Sequence, residues 1–246
     1  MLNALMTVAR RIYRREMFYP SIIGIFLNPF YFSRKGLVQH LTVLSPQIIG
    51  KVLDVGCGNK PYARLYSAQE YVGLEIDSPS NRKDKLADQY YDGKVFPFMN
   101  ETFDSVVSNQ VFEHVSDADQ FLSEISRVLR EDGMLLMTVP FVWDEHEQPH
   151  DYVRYSSFGI RAILMRHGFE VIELRKSVDD IRIIFQLLNA FIYKKTLSNW
   201  KAINFLCTIF IIAPINIAGE VISWVTPRNA DLYLDNIVLA RKKNAS

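Results

Sequence analysis

The feature that most constrains this chain is the stretch KVLDVGCG at residues 51–58, where an apolar run ends in two glycines. The apolar residues predict a buried strand, because parallel strands covered on both faces read as nearly continuous apolar runs. Gly56 and Gly58 allow a tight turn and a close approach of the backbone to a ligand. Pro61 suits the first turn of a helix. Strand, glycine turn and helix start together predict a cofactor cradle at the carboxyl end of a parallel sheet.

The residues around the two glycines argue against a dinucleotide as the cofactor. A dinucleotide fingerprint needs a third glycine three positions after Gly58, and Pro61 stands there. An acidic residue, Asp54, precedes the turn and gives the pattern D-x-G-x-G. This pattern resembles motif I of the class I S-adenosylmethionine-dependent methyltransferases. In that family a further glycine often stands where this chain has Lys60.

A second apolar segment, residues 71–77, ends in acidic side chains and predicts the neighbouring strand. The resemblance implies that Glu75 accepts hydrogen bonds from both ribose hydroxyls of an adenosine, with Ile76 beside it. Asp77, two residues further on, is the alternative acceptor.

Two further segments resemble the same family at its usual spacing. The resemblance implies that Asp92 and Gly93 lie at the adenine amine, with Asp88 as a second register for the acid. It also implies that the backbone of Asn109 and Gln110 meets the methionine portion of S-adenosylmethionine. The turn itself, including Cys57, completes the predicted cofactor contacts. The resemblance covers about residues 48–176 and the last dozen residues.

The core of the chain alternates strand and helix patterns, which predicts an α/β fold. The resemblance implies a Rossmann-like, seven-stranded, mostly parallel sheet with an antiparallel final strand and helices on both faces. An apolar helical insert precedes that last strand. Ser116 with Asp119 predicts a capping box, Ser156 or Ser157 predicts the start of another helix, and Gly168 predicts its end.

Residues 1–47 are predicted to form a basic, amphipathic helical extension, and residues 48–246 the methyltransferase domain with the insert at 177–230. The first helix carries Arg10, Arg11, Arg14 and Arg15 between apolar residues. This pattern is typical of a helix on an anionic membrane surface, and a capping helix packed on the domain is the alternative.

The insert accounts for much of the high hydrophobic fraction of 49%. Its two apolar runs, residues 181–193 and 203–218, leave three interpretations open. The helices lie in one leaflet or on a membrane surface; they cap the substrate pocket or form a dimer interface; or they cross the bilayer as a hairpin.

The loop after the fifth predicted strand is rich in polar and aromatic residues. Residues 146–150, HEQPH, match the H-E-x-x-H zinc pattern, but Pro149 opposes the helix that this chemistry needs, so no metal is predicted. His146 and His150, with His114 after the fourth strand, are the candidate catalytic bases. Residues 140–160 resemble a bacterial subgroup of these enzymes that is often linked with surface-polysaccharide synthesis.

The formal net charge of +1 argues against nucleic acid as a partner. Two cysteines without a pairing pattern suit a reducing compartment. We therefore expect an S-adenosylmethionine-dependent methyltransferase that methylates an oxygen of a sugar, of a lipid-linked glycan or of another small acceptor. We expect it in the cytoplasm, at the inner face of the plasma membrane. The alternatives are a non-catalytic scaffold of the same fold at a membrane and an NAD-dependent oxidoreductase.

Overall fold

The computed structural model describes residues 2–84 and 87–244. Met1, at the start of the predicted amphipathic helix, and the last two residues of the predicted carboxyl-terminal resemblance lie outside the described residues. The helices are Leu2–Phe18 (α1), Gly24–Leu27 (α2), Tyr31–Leu44 (α3), Pro79–Asp84 (α4), Ala118–Val128 (α5), Ser157–Arg166 (α6), Arg182–Thr196 (α7), Lys201–Cys207 (α8) and Ala213–Ser223 (α9). Short 3₁₀ turns span Ser45–Gln47, Ala63–Leu65 and Phe112–His114, and a π-helical segment spans Thr208–Ile212.

One seven-stranded sheet organises the fold. Its strands are Ile49–Val55 (β1), Ser67–Ile76 (β2), Gln89–Tyr91 (β3), Phe103–Asn109 (β4), Leu129–Pro140 (β5), Phe169–Lys176 (β6) and Asp235–Lys242 (β7). The strand order is β3-β2-β1-β4-β5-β7-β6. Strands β1 to β5 pair in parallel, and the final strand returns between β5 and β6 in antiparallel orientation. The predicted Rossmann-like sheet is confirmed.

The described residues group into two compact units. The sheet unit comprises the described residues of His40–Phe141, Glu145–Arg175 and Asn236–Ser246. Its core is formed by fully buried side chains of the strands and of helices α5 and α6, such as Leu53, Val106, Leu135 and Ile160. The apolar stripe on α5 therefore packs on the sheet, as its helical spacing predicts.

The helical unit comprises the described residues of Met1–Gln39, Val142–Asp144 and Lys176–Asp235. The amino-terminal helices and the insert, which the sequence separates by more than half of the chain, thus belong to one unit. An apolar cluster that includes Tyr31, Phe32 and Ile183 holds it together. Hydrogen bonds between buried amides add to this cluster: Asn189 donates to Asn216 Oδ1 at 2.8 Å, and Asn216 donates to the carbonyl of Ile25 at 2.9 Å.

Two local predictions are wrong. No α-helix follows the glycine turn; the chain forms only the 3₁₀ turn Ala63–Leu65 before β2 begins at Ser67. Too few residues separate the turn from β2 for a helix to form and return to the sheet. The cap of α5 is Asp117 and not Ser116, since the Asp117 carboxylate accepts from Gln120 N at 2.9 Å. The predicted cap at Ser156 is confirmed.

Candidate functional site

The sheet register brings the predicted cofactor residues to one edge of the sheet unit. Asp54 pairs with Gly73 across β1 and β2, and with Val107 across β1 and β4. Ile76 pairs with Tyr91 across β2 and β3. Because the strands are parallel, the residues that follow them meet at the carboxyl edge. The structure therefore brings the predicted cofactor residues to this edge: Asp54, Gly56, Cys57, Gly58, Glu75, Ile76, Asp92, Gly93, Asn109 and Gln110.

The glycine turn has one packed side and one open side. Gly56 has φ +71°, and an added Cβ would come within 2.4 Å of the Val111 side chain. Gly58 has φ +47°, and an added Cβ would meet nothing within 4 Å. Both positive φ values favour glycine. Val111 therefore packs against the turn at Gly56, whereas the turn leaves space beside Gly58 for a ligand.

Glu75 lies directly across this turn. Its Oε2 accepts a hydrogen bond from Gly58 N at 2.9 Å, and its Oε1 accepts from Ile76 N at 3.2 Å. Asp77, the alternative acceptor, is exposed and forms an ion pair with Arg82, whose Nη2 lies 2.7 Å from Asp77 Oδ2. Glu75 is therefore the carboxylate beside the turn, and its role toward a ribose stays a prediction.

Asp92 follows β3 at the same edge and accepts hydrogen bonds from the backbone of Lys94 and Val95 at 2.9 and 3.1 Å. These hydrogen bonds lower the pKa of Asp92. Asp88, the second register, precedes β3 and accepts from Gly73 N at 2.6 Å and from Lys60 Nζ. Since ligands bind at the carboxyl ends of parallel strands, the geometry favours Asp92.

Asp54 is buried and accepts a hydrogen bond from the Tyr71 hydroxyl at 2.6 Å. Burial raises the pKa of Asp54 to about 7, against the lowering effect of this hydrogen bond. Tyr71 is a residue that sequence reasoning missed, because nothing in the local pattern shows which strand face its ring occupies.

Cys57 faces the interior of the sheet unit and not the open side of the turn. Its Sγ lies against Gly73, where an added Cβ would come within 2.8 Å of it. Burial, followed by the charge of Asp54, raises the pKa of the Cys57 thiol to about 12. The thiol therefore stays protonated at neutral pH, which disfavours it as a nucleophile.

Asn109 and Gln110 end strand β4. The Asn109 amide nitrogen lies 3.4 Å from the Tyr66 hydroxyl, and its Oδ1 is buried without a hydrogen-bond partner in the described part of the chain. Gln110 has φ +56°, and its backbone N donates to Thr138 O at 3.0 Å. Asn109 thus offers a buried acceptor at the sheet edge, whereas Gln110 is tied to β5.

Of the three candidate bases, His114 contacts both His146 and His150. The rings of His114 and His146 lie edge to face, with centroids 4.7 Å apart. His150 directs its Nδ1 to the Tyr152 hydroxyl at 3.1 Å. Its carbonyl oxygen accepts from His114 Nδ1 at 2.6 Å. The structure therefore places all three histidines in one cluster, with the His150 ring turned toward Tyr152.

An ion pair between Asp151 and Arg154, which the sequence pattern does not reveal, supports this cluster. Arg154 contacts both carboxylate oxygens of Asp151, at 2.5 and 2.6 Å. The Asp151 Oδ2 also accepts from His146 N at 3.0 Å and lies 3.3 Å from His146 Nδ1. The hydrogen bonds from Arg154 lower the pKa of Asp151 to about 2, so it is ionised at neutral pH.

The chain is similar in sequence to known proteins over part of its length. A family model described as methyltransferase domain matches residues 53–137, about a third of the chain, from β1 into β5. The chain is 32% identical over 113 residues to a fatty-acid O-methyltransferase of Mycolicibacterium smegmatis, covering 41% of each protein. It is 27% identical over 177 residues to a ubiquinone biosynthesis O-methyltransferase of Bartonella bacilliformis, covering 56% of this chain and 65% of that protein. The chain thus spans about half the length of these curated relatives.

Solved structures match over most of the chain. The [4+2]-cyclase SpnF matches with a TM-score of 0.56 at 18% identity, covering 87% of this chain and 83% of that one. A phosphoethanolamine N-methyltransferase of Haemonchus contortus in complex with S-adenosyl-L-methionine matches with a TM-score of 0.52 at 19% identity, covering 94% and 59%. The chain has the Rossmann-like fold of class I methyltransferases. Because a cyclase has this fold too, the activity must be argued from the site.

Proposed function

We propose that this chain is an S-adenosylmethionine-dependent O-methyltransferase that works at a membrane surface. The observation that carries the cofactor assignment is the Glu75 carboxylate, 2.9 Å from Gly58 N across a turn that is open beside Gly58. A carboxylate in this position is suited to accept hydrogen bonds from two ribose hydroxyls. The buried Asn109 Oδ1 provides an acceptor for the ammonium group at the other end of the cofactor. The residues present therefore fit S-adenosylmethionine.

The same turn argues against NAD. A dinucleotide site places its pyrophosphate at the amino end of a helix that follows the glycine turn. Here only the 3₁₀ turn Ala63–Leu65 follows. A sulfonium cofactor carries no phosphate and does not need such a helix.

S-adenosylmethionine supplies a methyl group on a sulfonium, which is a good leaving group for attack by an acceptor oxygen. The residues of the chain hold the two reactants in line, and positioning of this kind contributes about 7–11 kcal/mol. A hydroxyl acceptor also loses its proton as the new O–CH₃ bond forms. The candidate bases for that proton are His146, His150 and His114, and a positioned base accelerates such a step by about 10²–10⁴-fold.

Calorimetric titration of the purified chain with S-adenosylhomocysteine, and separately with NAD, tests the cofactor assignment. We expect binding of S-adenosylhomocysteine and no binding of NAD. Glu75→Ala should weaken S-adenosylhomocysteine at least tenfold, because it removes both ribose hydrogen bonds. Asp77→Ala, which removes the exposed carboxylate two residues away, is the matched control and should change the affinity little. Equal losses in both variants would contradict the role of Glu75.

The membrane assignment is supported by the distribution of side chains in the helical unit. Polar residues such as Gln186, Asn189 and Asn216 are buried, whereas Phe210 and Trp224 are 72% and 79% exposed. The other large apolar side chains that are exposed in the insert, residues 177–230, are Ile184, Leu188, Phe191, Leu197, Trp200, Ile203, Phe205, Leu206, Ile211, Ile217, Val221, Ile222 and Val225. Such a surface in water is unfavourable and is typical of contact with another apolar phase.

Length and charge favour a lipid bilayer as that phase. Helix α8, the π-helical segment and α9 form one continuous helix, Lys201–Ser223. It has 23 residues with a mean hydropathy of 2.1 in its most apolar window, and 28% of that window is buried. By length and composition this helix is able to cross a membrane, and it alone meets these criteria within residues 2–84 and 87–244. The next strand, β7, returns to the sheet, so a hairpin would need a second such helix. Helices lying in one leaflet fit these observations best.

Helix α1 adds the charge that an anionic bilayer attracts. Arg10, Arg11, Arg14 and Arg15 are all exposed on it, and each basic residue near an anionic surface contributes about 1 kcal/mol. A membrane-bound enzyme of this kind is suited to a lipid-linked acceptor. We propose a sugar hydroxyl of a lipid-linked precursor of surface polysaccharide at the inner face of the plasma membrane.

Flotation of the chain with vesicles tests the membrane assignment. We expect binding to vesicles that contain phosphatidylglycerol and weaker binding to pure phosphatidylcholine. Phe210→Ser with Trp224→Ser should weaken binding at least tenfold, since each large apolar side chain contributes about 1.5–3 kcal/mol when buried. Phe158→Ser, which removes a side chain 83% exposed in the sheet unit, is the control. Unchanged binding of the double variant, or a stable dimer that hides these residues in place of lipid, would contradict the proposal.

The acceptor is tested with radiolabelled S-adenosylmethionine and bacterial membranes, followed by partition between organic and aqueous phases. We expect label in the lipid fraction, on a product that resists mild alkali as an ether does. If S-adenosylhomocysteine binds and no fraction gains label, the chain is a non-catalytic scaffold.

A further inference from the structure

We propose that Glu113, His114 and His146 form a binding site for a divalent transition-metal ion of the zinc type. One ligand atom from each of the three side chains lies within 4.8 Å of the others. Glu113 Oε1 and His114 Nε2 are 3.8 Å apart. Two ligands bonded to one tetrahedral zinc ion lie about 3.4 Å from each other. Small side-chain movements therefore suffice to close the three ligands around an ion.

The ring of His114 is held in the tautomer that a metal needs. Its Nδ1 lies 2.6 Å from the carbonyl oxygen of His150. A carbonyl oxygen only accepts, so Nδ1 carries the proton and Nε2 holds the free lone pair. That lone pair belongs to the nitrogen beside Glu113.

His146 is oriented in the same way by a carboxylate. Its Nδ1 lies 3.3 Å from Asp151 Oδ2, and Asp151 is held by the two hydrogen bonds from Arg154. Histidines that bind metals in proteins almost always donate the other ring N–H to a carboxylate or a backbone carbonyl. Here the Nδ1 of His114 faces a backbone carbonyl and the Nδ1 of His146 faces a carboxylate. Such contacts support the ligands of a metal site.

The ligand chemistry defines the ion. Two imidazoles and one carboxylate suit zinc, cobalt or iron, whereas magnesium and calcium prefer oxygen ligands. His114 and His146 are partly exposed, with side chains 17% and 32% accessible. Glu113 is fully buried, so the ion would be held from the interior by its carboxylate. The partly exposed side of the cluster is left for a fourth ligand, an oxygen atom.

The site has a consequence for catalysis, which rests on the proposed function. An acceptor hydroxyl at the fourth position would be held and polarised by the ion. With His114 and His146 bound to the metal, His150 is the histidine that remains as the base.

This cluster differs from the H-E-x-x-H pattern in the sequence. That pattern pairs His146 with His150 on a helix, and residues 146–150 are not helical here. The fold replaces His150 with His114, which comes from the turn after β4. The two possibilities therefore predict opposite effects for single substitutions.

Titration of the metal-free chain with Co²⁺, followed by visible absorbance, tests the site. We expect one ion per chain with the strong absorbance of low-coordinate cobalt, and its displacement by Zn²⁺. His114→Ala and His146→Ala should each weaken Co²⁺ at least 100-fold. His150→Ala, which keeps the carbonyl that orients His114, is the matched control and should change the affinity less than threefold.

Glu113→Gln keeps the volume of the buried side chain, and it should weaken Co²⁺ while the far-ultraviolet circular dichroism stays unchanged. Failure of the native chain to bind Co²⁺ would overturn the proposal. Loss of binding in His150→Ala with retention in His114→Ala would overturn it in favour of the linear pattern. Because neither cofactor nor acceptor is present, these results leave the methyltransferase proposal untouched.

Discussion

The two glycines of the turn allow a paired test of its packed and open sides. Gly56→Ala and Gly58→Ala each place a Cβ at positive φ, which costs about 1–2 kcal/mol. At Gly56 the new Cβ would also lie 2.4 Å from Val111 Cγ2 and 2.9 Å from Cγ1. Overpacking of this kind costs about 1–3 kcal/mol more. We therefore expect Gly56→Ala to lower the free energy of unfolding by about 2–5 kcal/mol, and Gly58→Ala by about 1–2 kcal/mol.

Urea denaturation measures these losses, and calorimetry with S-adenosylhomocysteine measures binding. Gly58→Ala should weaken the ligand at least tenfold, because its methyl group enters the open side of the turn. Val111→Ala added to Gly56→Ala should recover most of the overpacking loss, because it removes the methyl groups that the new Cβ meets. Equal stability of the two single variants would refute the packing argument, and full ligand affinity in Gly58→Ala would refute the open side as the binding face.

Two further predictions concern stability. The folded pKa of Asp54, about 7, exceeds its ordinary value of 3.8. The contribution of this group to the free energy of unfolding is therefore full below about pH 4 and is lost as the pH rises to about 7. Asp54→Asn should remove a fall of at most about 4 kcal/mol in the free energy of unfolding over that range; an unchanged pH profile would contradict the raised pKa. Asn216→Ala leaves the buried amide of Asn189 and the carbonyl of Ile25 unpaired, and should cost about 2–4 kcal/mol in urea denaturation. Exposed Asn199→Ala is its control, and similar losses in both variants would contradict the role of the buried network.

The sheet was predictable because its signals are local. The apolar runs, the two glycines and the acids near the ends of the first three strands indicate the carboxyl edge, and Glu75 lies beside Gly58 at that edge. The roles of these residues toward a cofactor stay predictions. The helix after the glycine turn was wrongly predicted, since Pro61 suits a turn as well as the first turn of a helix and carries no information on how soon β2 begins.

Other parts of the site depend on contacts that no local pattern reveals. The Tyr71 hydroxyl, on β2, donates to Asp54 on the neighbouring strand β1. Glu113 and His146 come from different loops, and only the parallel order of β4 and β5 brings them together. The linear pattern HEQPH pairs His146 with His150, and Pro149 argues against a metal there. A motif records spacing along the chain and not the fold around it, so it gives no sign that His114 lies beside His146.

The central claim is that the turn at residues 56–58, with Glu75 across it, binds the adenosine of S-adenosylmethionine. A crystal structure of the chain with S-adenosylhomocysteine tests this most directly. The account predicts both ribose hydroxyls within hydrogen-bond distance of the Glu75 carboxylate, and the ligand packed against the open side of Gly58. A ligand bound elsewhere, with the Glu75 carboxylate still on Gly58 N and no ribose beside it, would contradict it.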